Sequence, residues 1–138
     1  MPRTDAIGLF WEDHPSSRKQ GERELGPMPE IPETGWRPPT VFPNIRDAPW
    51  IALDCETYDP ELNDYGPGWA RGKGHICGVS LAWPGGKLYY PIRHTVQKEL
   101  NLDPETIMRY LNWALGGACP KIGANISYDI GWLKWEGV

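Results

Sequence analysis

Nine of the fifteen prolines in this 138-residue chain precede Trp50, and no other sequence feature restricts the fold so strongly. Pro27, Pro29, Pro32, Pro38, Pro39, Pro43 and Pro49 each remove a backbone donor and fix φ, so this stretch favours extended backbone over ladders or helices. The first 48 residues are therefore expected to form an arm, and residues 49–138 the folded domain. Phe10, Trp11 and Trp36 are the exceptions in the polar arm, and they are expected to pin it to a surface.

From Trp50 the texture changes. Trp50-Ile51-Ala52-Leu53 is an apolar run that ends in Asp54, the pattern of a buried strand. Residues 59–74 read as a long Gly-rich loop. Ile76–Trp83 and Lys87–Ile92 read as two strands joined by a hairpin turn at Pro84-Gly85-Gly86. Asp103 is placed to cap a helix that opens on Pro104, and Ile107, Tyr110, Leu111 and Ala114 share one face of it until Gly116-Gly117. Lys121–Ala124 reads as a short strand, and Ser127 as the cap of a last helix. Three antiparallel strands followed by helix, strand and helix make an α/β fold with a mixed sheet.

Asp54 and Glu56 stand two apart on a strand, so their side chains share a face. Two carboxylates on one face at a strand end repel each other unless a cation lies between them, and Mg²⁺ or Mn²⁺ suits oxygen ligands. Asn125 at a strand exit and Asp129 on the first turn of a helix make a second acidic feature. The net charge of −4 argues against binding nucleic acid by charge alone, but not against carboxylates that hold cations. Cys55, Cys77 and Cys119 are odd in number, far apart and flanked by apolar residues, so buried reduced thiols are expected. No stretch has the length of a signal peptide or a membrane span, which leads to the expectation of a soluble cytoplasmic protein without membrane contact.

Leu53-Asp54-Cys55-Glu56-Thr57 resembles the first exonuclease motif of the DEDD superfamily, and Asn125-x-x-x-Asp129 resembles the second. The likeness is greatest to the 3′→5′ exonuclease region of family A DNA polymerases, those of phages in particular. Gly66-Pro67-Gly68-Trp69-Ala70-Arg71-Gly72, Tyr90-Pro91-Ile92-Arg93-His94 and Gly8-Leu9-Phe10-Trp11-Glu12-Asp13 add to it. The resemblance implies a ribonuclease-H-like fold, incomplete at its C-terminal end, because the family's third motif, a Tyr or His followed by an Asp, has no counterpart after Asp129. It implies two Mg²⁺ or Mn²⁺ ions about 4 Å apart that hydrolyse a terminal phosphodiester to a nucleoside 5′-monophosphate. Asp54 would bridge both ions, Glu56 would hold the ion of the attacking water, and Asp129 would help place the other. Asn125, Thr57 and Tyr58 would meet the substrate end. The 59–74 loop leaves the strand end that carries Asp54 and Glu56, so Trp69, Arg71 and Lys73 are placed to meet the backbone of a single strand, the alternative being a Gly-rich connection with its charges in solvent. The implied partners are the 3′ end of single-stranded DNA and the remainder of a polymerase. Without the third motif the chain alone is expected to be a weak exonuclease. A catalytically incomplete remnant that binds single strands or a partner polypeptide is the alternative. A haloacid-dehalogenase-type phosphatase fits poorly, since it needs Asp where Glu56 stands.

Overall fold

The computed structural model describes Glu30 and residues 34–138. A compact unit runs from Gly35 to Val138. It contains a four-stranded sheet of β1 (Ile51–Tyr58), β2 (His75–Trp83), β3 (Gly86–Pro91) and β4 (Lys121–Ile122). The strand order is β3-β2-β1-β4. The β1–β2 and β2–β3 pairs are antiparallel, and β4 runs parallel to β1. Three helices complete it: α1 (Leu62–Tyr65), α2 (Pro104–Leu115) and α3 (Ile126–Trp135). This mixed α/β architecture is the expected class and is consistent with a ribonuclease-H-like fold. No helix among the described residues is long and apolar enough to cross a membrane.

Strand alternation sorts β1 cleanly. Ile51, Leu53 and Cys55 are buried, while Asp54 and Glu56 are exposed on the other face. Cross-strand partners keep the division: Leu53 faces Leu81 and Cys55 faces Val79, whereas Asp54 faces Ser80 and Glu56 faces Gly78. The buried face packs against α2 and α3, whose Ile107, Leu111, Ala114, Trp132 and Leu133 fill the core. The expected cap forms at α2, where Asp103 Oδ2 accepts from Thr106 N–H at 2.8 Å.

Four expectations are corrected. β1 does not stop at Asp54 but continues to Tyr58, because the carboxylates occupy outward positions of a strand whose inward positions stay apolar. β4 is shorter than expected, ending at Ile122. The last helix starts at Ile126 with Asn125 at its cap in the left-handed region (φ 52°), and no side chain there caps a backbone donor, Ser127 included. The hairpin has a two-residue turn, since Gly86 already pairs with Trp83.

Residues 35–48 contain neither strand nor helix, yet they belong to the packed unit. Ile45 is 1% exposed. Tyr110 Oη donates to Pro43 O at 2.8 Å and Tyr90 Oη to Val41 O at 2.7 Å. Phe42 stacks on the Tyr90 ring and meets the Tyr110 ring at a tilt. Trp36 meets the ring of Tyr89, whereas Phe10 and Trp11 lie outside the described residues.

Candidate functional site

The site is built around the C-terminal half of β1. In this strand the odd-numbered N–H groups point towards β4: Ile51 N–H donates to Pro120 O at 2.9 Å. Because β4 ends at Ile122, no backbone carbonyl of that strand reaches Cys55. The Cys55 N–H instead donates to Asp129 Oδ1 at 3.0 Å. Asp129, only 3% exposed, therefore stands at the strand edge where the ladder gives out. The second motif is thus brought against the first.

Burial pushes the Asp129 carboxyl above its ordinary range, the Cys55 N–H bond opposes that shift, and the Asp54 charge adds to it. The Cys55 thiol is pushed far up by burial first, then by Asp129, Asp54 and Glu56. Both shifts have burial as their first cause, and the neighbouring carboxylates add to it. Cys55, Cys77 and Cys119 are all unbridged; Cys55 is buried as expected, but Cys77 and Cys119 are only half-buried, against the expectation of three buried thiols.

Asp54 opens onto a groove of about 690 Å³ on the exposed sheet face, shared with Trp36, Ser80, Lys87, Tyr89 and Ala124. The hydroxyl end of the Tyr89 ring lies against Gly78, which faces Glu56 across the strands, and leaves no room for a Cβ there. Burial and the Glu56 charge push the Tyr89 phenol up to about 12. Its hydroxyl meets His94 Nε2. The His94 backbone is in turn held twice by Asn101, N–H to Oδ1 and O to Nδ2, at 2.9 Å each.

The remaining expected contacts are distributed differently. Thr57 Oγ1 is hydrogen-bonded to Tyr128 Oη at 3.1 Å. Tyr58 is exposed and tilts against His75. The Asn125 side chain is exposed, and its Oδ1 accepts from Ser127 Oγ at 3.3 Å. Trp69 is packed on α3, its indole filling the space that Gly131 leaves open. Arg71 is ion-paired with Glu61 at 2.6 Å and covers the Tyr65 ring. Neither Trp69 nor Arg71 is presented as an unengaged phosphate contact.

Sequence reasoning gave no role to Tyr128 or Asp59. Tyr128 Oη donates to Asp59 Oδ2 at 2.9 Å, and Gly68 N–H donates to the same oxygen at 2.9 Å. Asp59 Oδ1 is buried without a hydrogen-bond partner, as are Trp69 Nε1 and Trp132 Nε1. Tyr128 was visible beside Asp129, but its partners lie 69 and 71 residues away and no local pattern announces them.

Over 104 residues the chain is 38% identical to a DNA-directed DNA polymerase of Pseudomonas phage M6. This chain is similar to one stretch of a phage DNA polymerase. The match covers 72% of the chain and 15% of that relative, so the chain spans a small part of the polymerase's length. No family model matches.

Proposed function

We propose that this chain is the front part of a metal-dependent 3′→5′ exonuclease of the proofreading type, acting on single-stranded DNA ends. The observation that carries the reading is the bond from Cys55 N–H to Asp129 Oδ1, which joins the two sequence motifs at one strand end. The likeness to a stretch of a phage polymerase supports it.

The donor chemistry fits Mg²⁺ or Mn²⁺, since Asp54, Glu56 and Asp129 offer only oxygen. Among the described residues no three His, Cys, Asp or Glu side chains are grouped closely enough to hold an ion. The fit is thus one of ligand type. Asp129 has one oxygen engaged by Cys55, and Asp54 and Glu56 point from the exposed face, free to turn towards a cation. When bound, the ions would supply an activated water and stabilise the leaving 3′ oxygen. Asp54 and Glu56 would hold them, and Asp129 would do so with its second oxygen. Asn125, exposed at the start of α3, would meet the terminal nucleotide. Tyr58 would offer a stacking surface to a base. The groove beside Asp54 would receive the strand end.

The chain carries three of the four carboxylates that the reading calls for. The test is a nuclease assay on a 5′-labelled single strand with Mg²⁺ or Mn²⁺. The chain is assayed alone, with a downstream polypeptide bearing a Tyr-x-x-x-Asp motif, and as Asp54→Ala. Alone it is expected to be slow, because lost water positioning costs ~10²-fold or more. The added segment restores shortening from the 3′ end, and Asp54→Ala abolishes it. Activity indifferent to Asp54→Ala overturns the reading.

A further inference from the structure

Asp129 reaches Cys55 only if the start of α3 is held against the end of β1. We propose that Tyr128 is a positioning residue for the carboxylate site, acting as a latch through Thr57 and Asp59; as a statement about catalysis this rests on the exonuclease reading above.

The hydrogen-bond chemistry is one-directional. Tyr128 Oη donates its hydrogen bond to Asp59 Oδ2. A phenol has one proton, so in the contact with Thr57 the threonine must donate to Tyr128 Oη. Thr57 therefore donates to Tyr128, and Tyr128 donates to Asp59. Gly68 N–H completes the Asp59 side, where a Cβ on Gly68 would collide with the backbone of Lys73.

The latch spans three elements. Thr57 lies on β1 directly after Glu56, Asp59 opens the loop that leaves β1, and Tyr128 precedes Asp129 on α3. It lies just past the irregularity between Glu56 and Thr57, where the pairing with β2 shifts by one residue and the strand bends. Behind it the Tyr128 ring rests edge-on against buried Trp132 at 6.4 Å. A side chain fixed at its ring and pulled at its hydroxyl sets the separation of the two backbones. The Asp129 carboxylate lies within that separation.

The test uses the ¹⁵N-labelled full chain and the variants Tyr128→Phe, Thr57→Ser and Thr57→Val. Tyr128→Phe keeps the ring and its packing, so the fold survives, which a thermal melt checks. Amide hydrogen exchange is read at Cys55 and at Val79, its cross-strand partner. Tyr128→Phe is expected to speed exchange at Cys55 about tenfold, the scale of two lost hydrogen bonds, and to leave Val79 near its original rate. Thr57→Val produces part of that change and Thr57→Ser none. Unchanged exchange at Cys55 in Tyr128→Phe overturns the latch, and so does an equal rise at Val79, which marks general loosening. Mn²⁺ affinity, measured by electron paramagnetic resonance on the same proteins and on Asp54→Ala, separates the two readings. Binding weakened several-fold by Tyr128→Phe and lost in Asp54→Ala supports both. Binding lost in Asp54→Ala but unaltered by Tyr128→Phe overturns the positioning role. Mn²⁺ binding indifferent to Asp54→Ala strikes the exonuclease reading and leaves the exchange result to decide the latch.

Discussion

Burial, reinforced by the Asp54 charge, raises the Asp129 carboxyl above its ordinary value of 3.8 in the folded state. The sign of the consequence follows from proton linkage. A carboxyl whose folded pKa is raised binds its proton more tightly when folded, so its ionised form costs stability above the folded pKa. The cost is relieved as pH falls through that value and is gone below the unfolded value. Asp129→Asn keeps an oxygen for Cys55 N–H and removes the charge. It is therefore expected to melt at a higher temperature than the parent at pH 7, with the difference shrinking towards pH 4. Calorimetry across that range checks it, and a lower melting temperature at pH 7 contradicts it. The same substitution is expected to weaken Mn²⁺ binding. At this scale the sequence was partly legible. Period-two alternation announces that Asp54 and Glu56 share a face. The location of Asp129 at the edge of β1 depends on where β4 ends, which propensity does not fix.

Among the elements, α2 was readable almost to the residue, since cap, proline, apolar face and terminal glycine act within one segment. The connection between β1 and β2 was not. It looked like a loose glycine-rich link, but its Gly72 and Gly74 lie against indole rings of α3, and its Trp69 packs on a glycine of α3. Gly131 accommodates Trp69, Gly74 leaves no room beside Tyr58 O and Trp132, and a Cβ on Gly72 would stand 3.2 Å from Trp135. Such pairings arise from chain segments some 60 residues apart, so neither partner carries a local signal. They yield a prediction of opposite sign to helix propensity. Gly→Ala inside a helix ordinarily stabilises by about 1 kcal/mol. Gly131→Ala is expected to destabilise by roughly 1–3 kcal/mol, because the new methyl displaces the Trp69 indole from α3. Urea denaturation followed by tryptophan fluorescence reads both the stability and the displaced ring. A stabilised protein contradicts the docking of this connection.

For the molecule as a whole, the two ends of the folded unit are fastened in different ways. Residues 35–48 have no ladder of their own and are held by Ile45 in the core, whose burial is worth about 1.5–3 kcal/mol, and by the Tyr90 and Tyr110 hydroxyls. The proline content had marked this segment as irregular, and irregular backbone proved compatible with a buried anchor. The far end is fastened by Arg93 and Glu136, paired at 2.7 and 2.9 Å, with Ile76 N–H donating to the same carboxylate at 3.3 Å. Glu136→Ala is expected to cost about 1–2 kcal/mol in denaturant unfolding, since both groups are partly solvated. A loss below the error of that measurement contradicts the fastening. Between these ends, the shortness of β4 has a further meaning. Were the parallel pairing prolonged by a few residues, a main-chain carbonyl would take the Cys55 proton and Asp129 would be dismissed from the edge. The proposed carboxylate site thus depends on a strand that stops early, and an insertion there would dismantle it with every acidic residue still in the sequence.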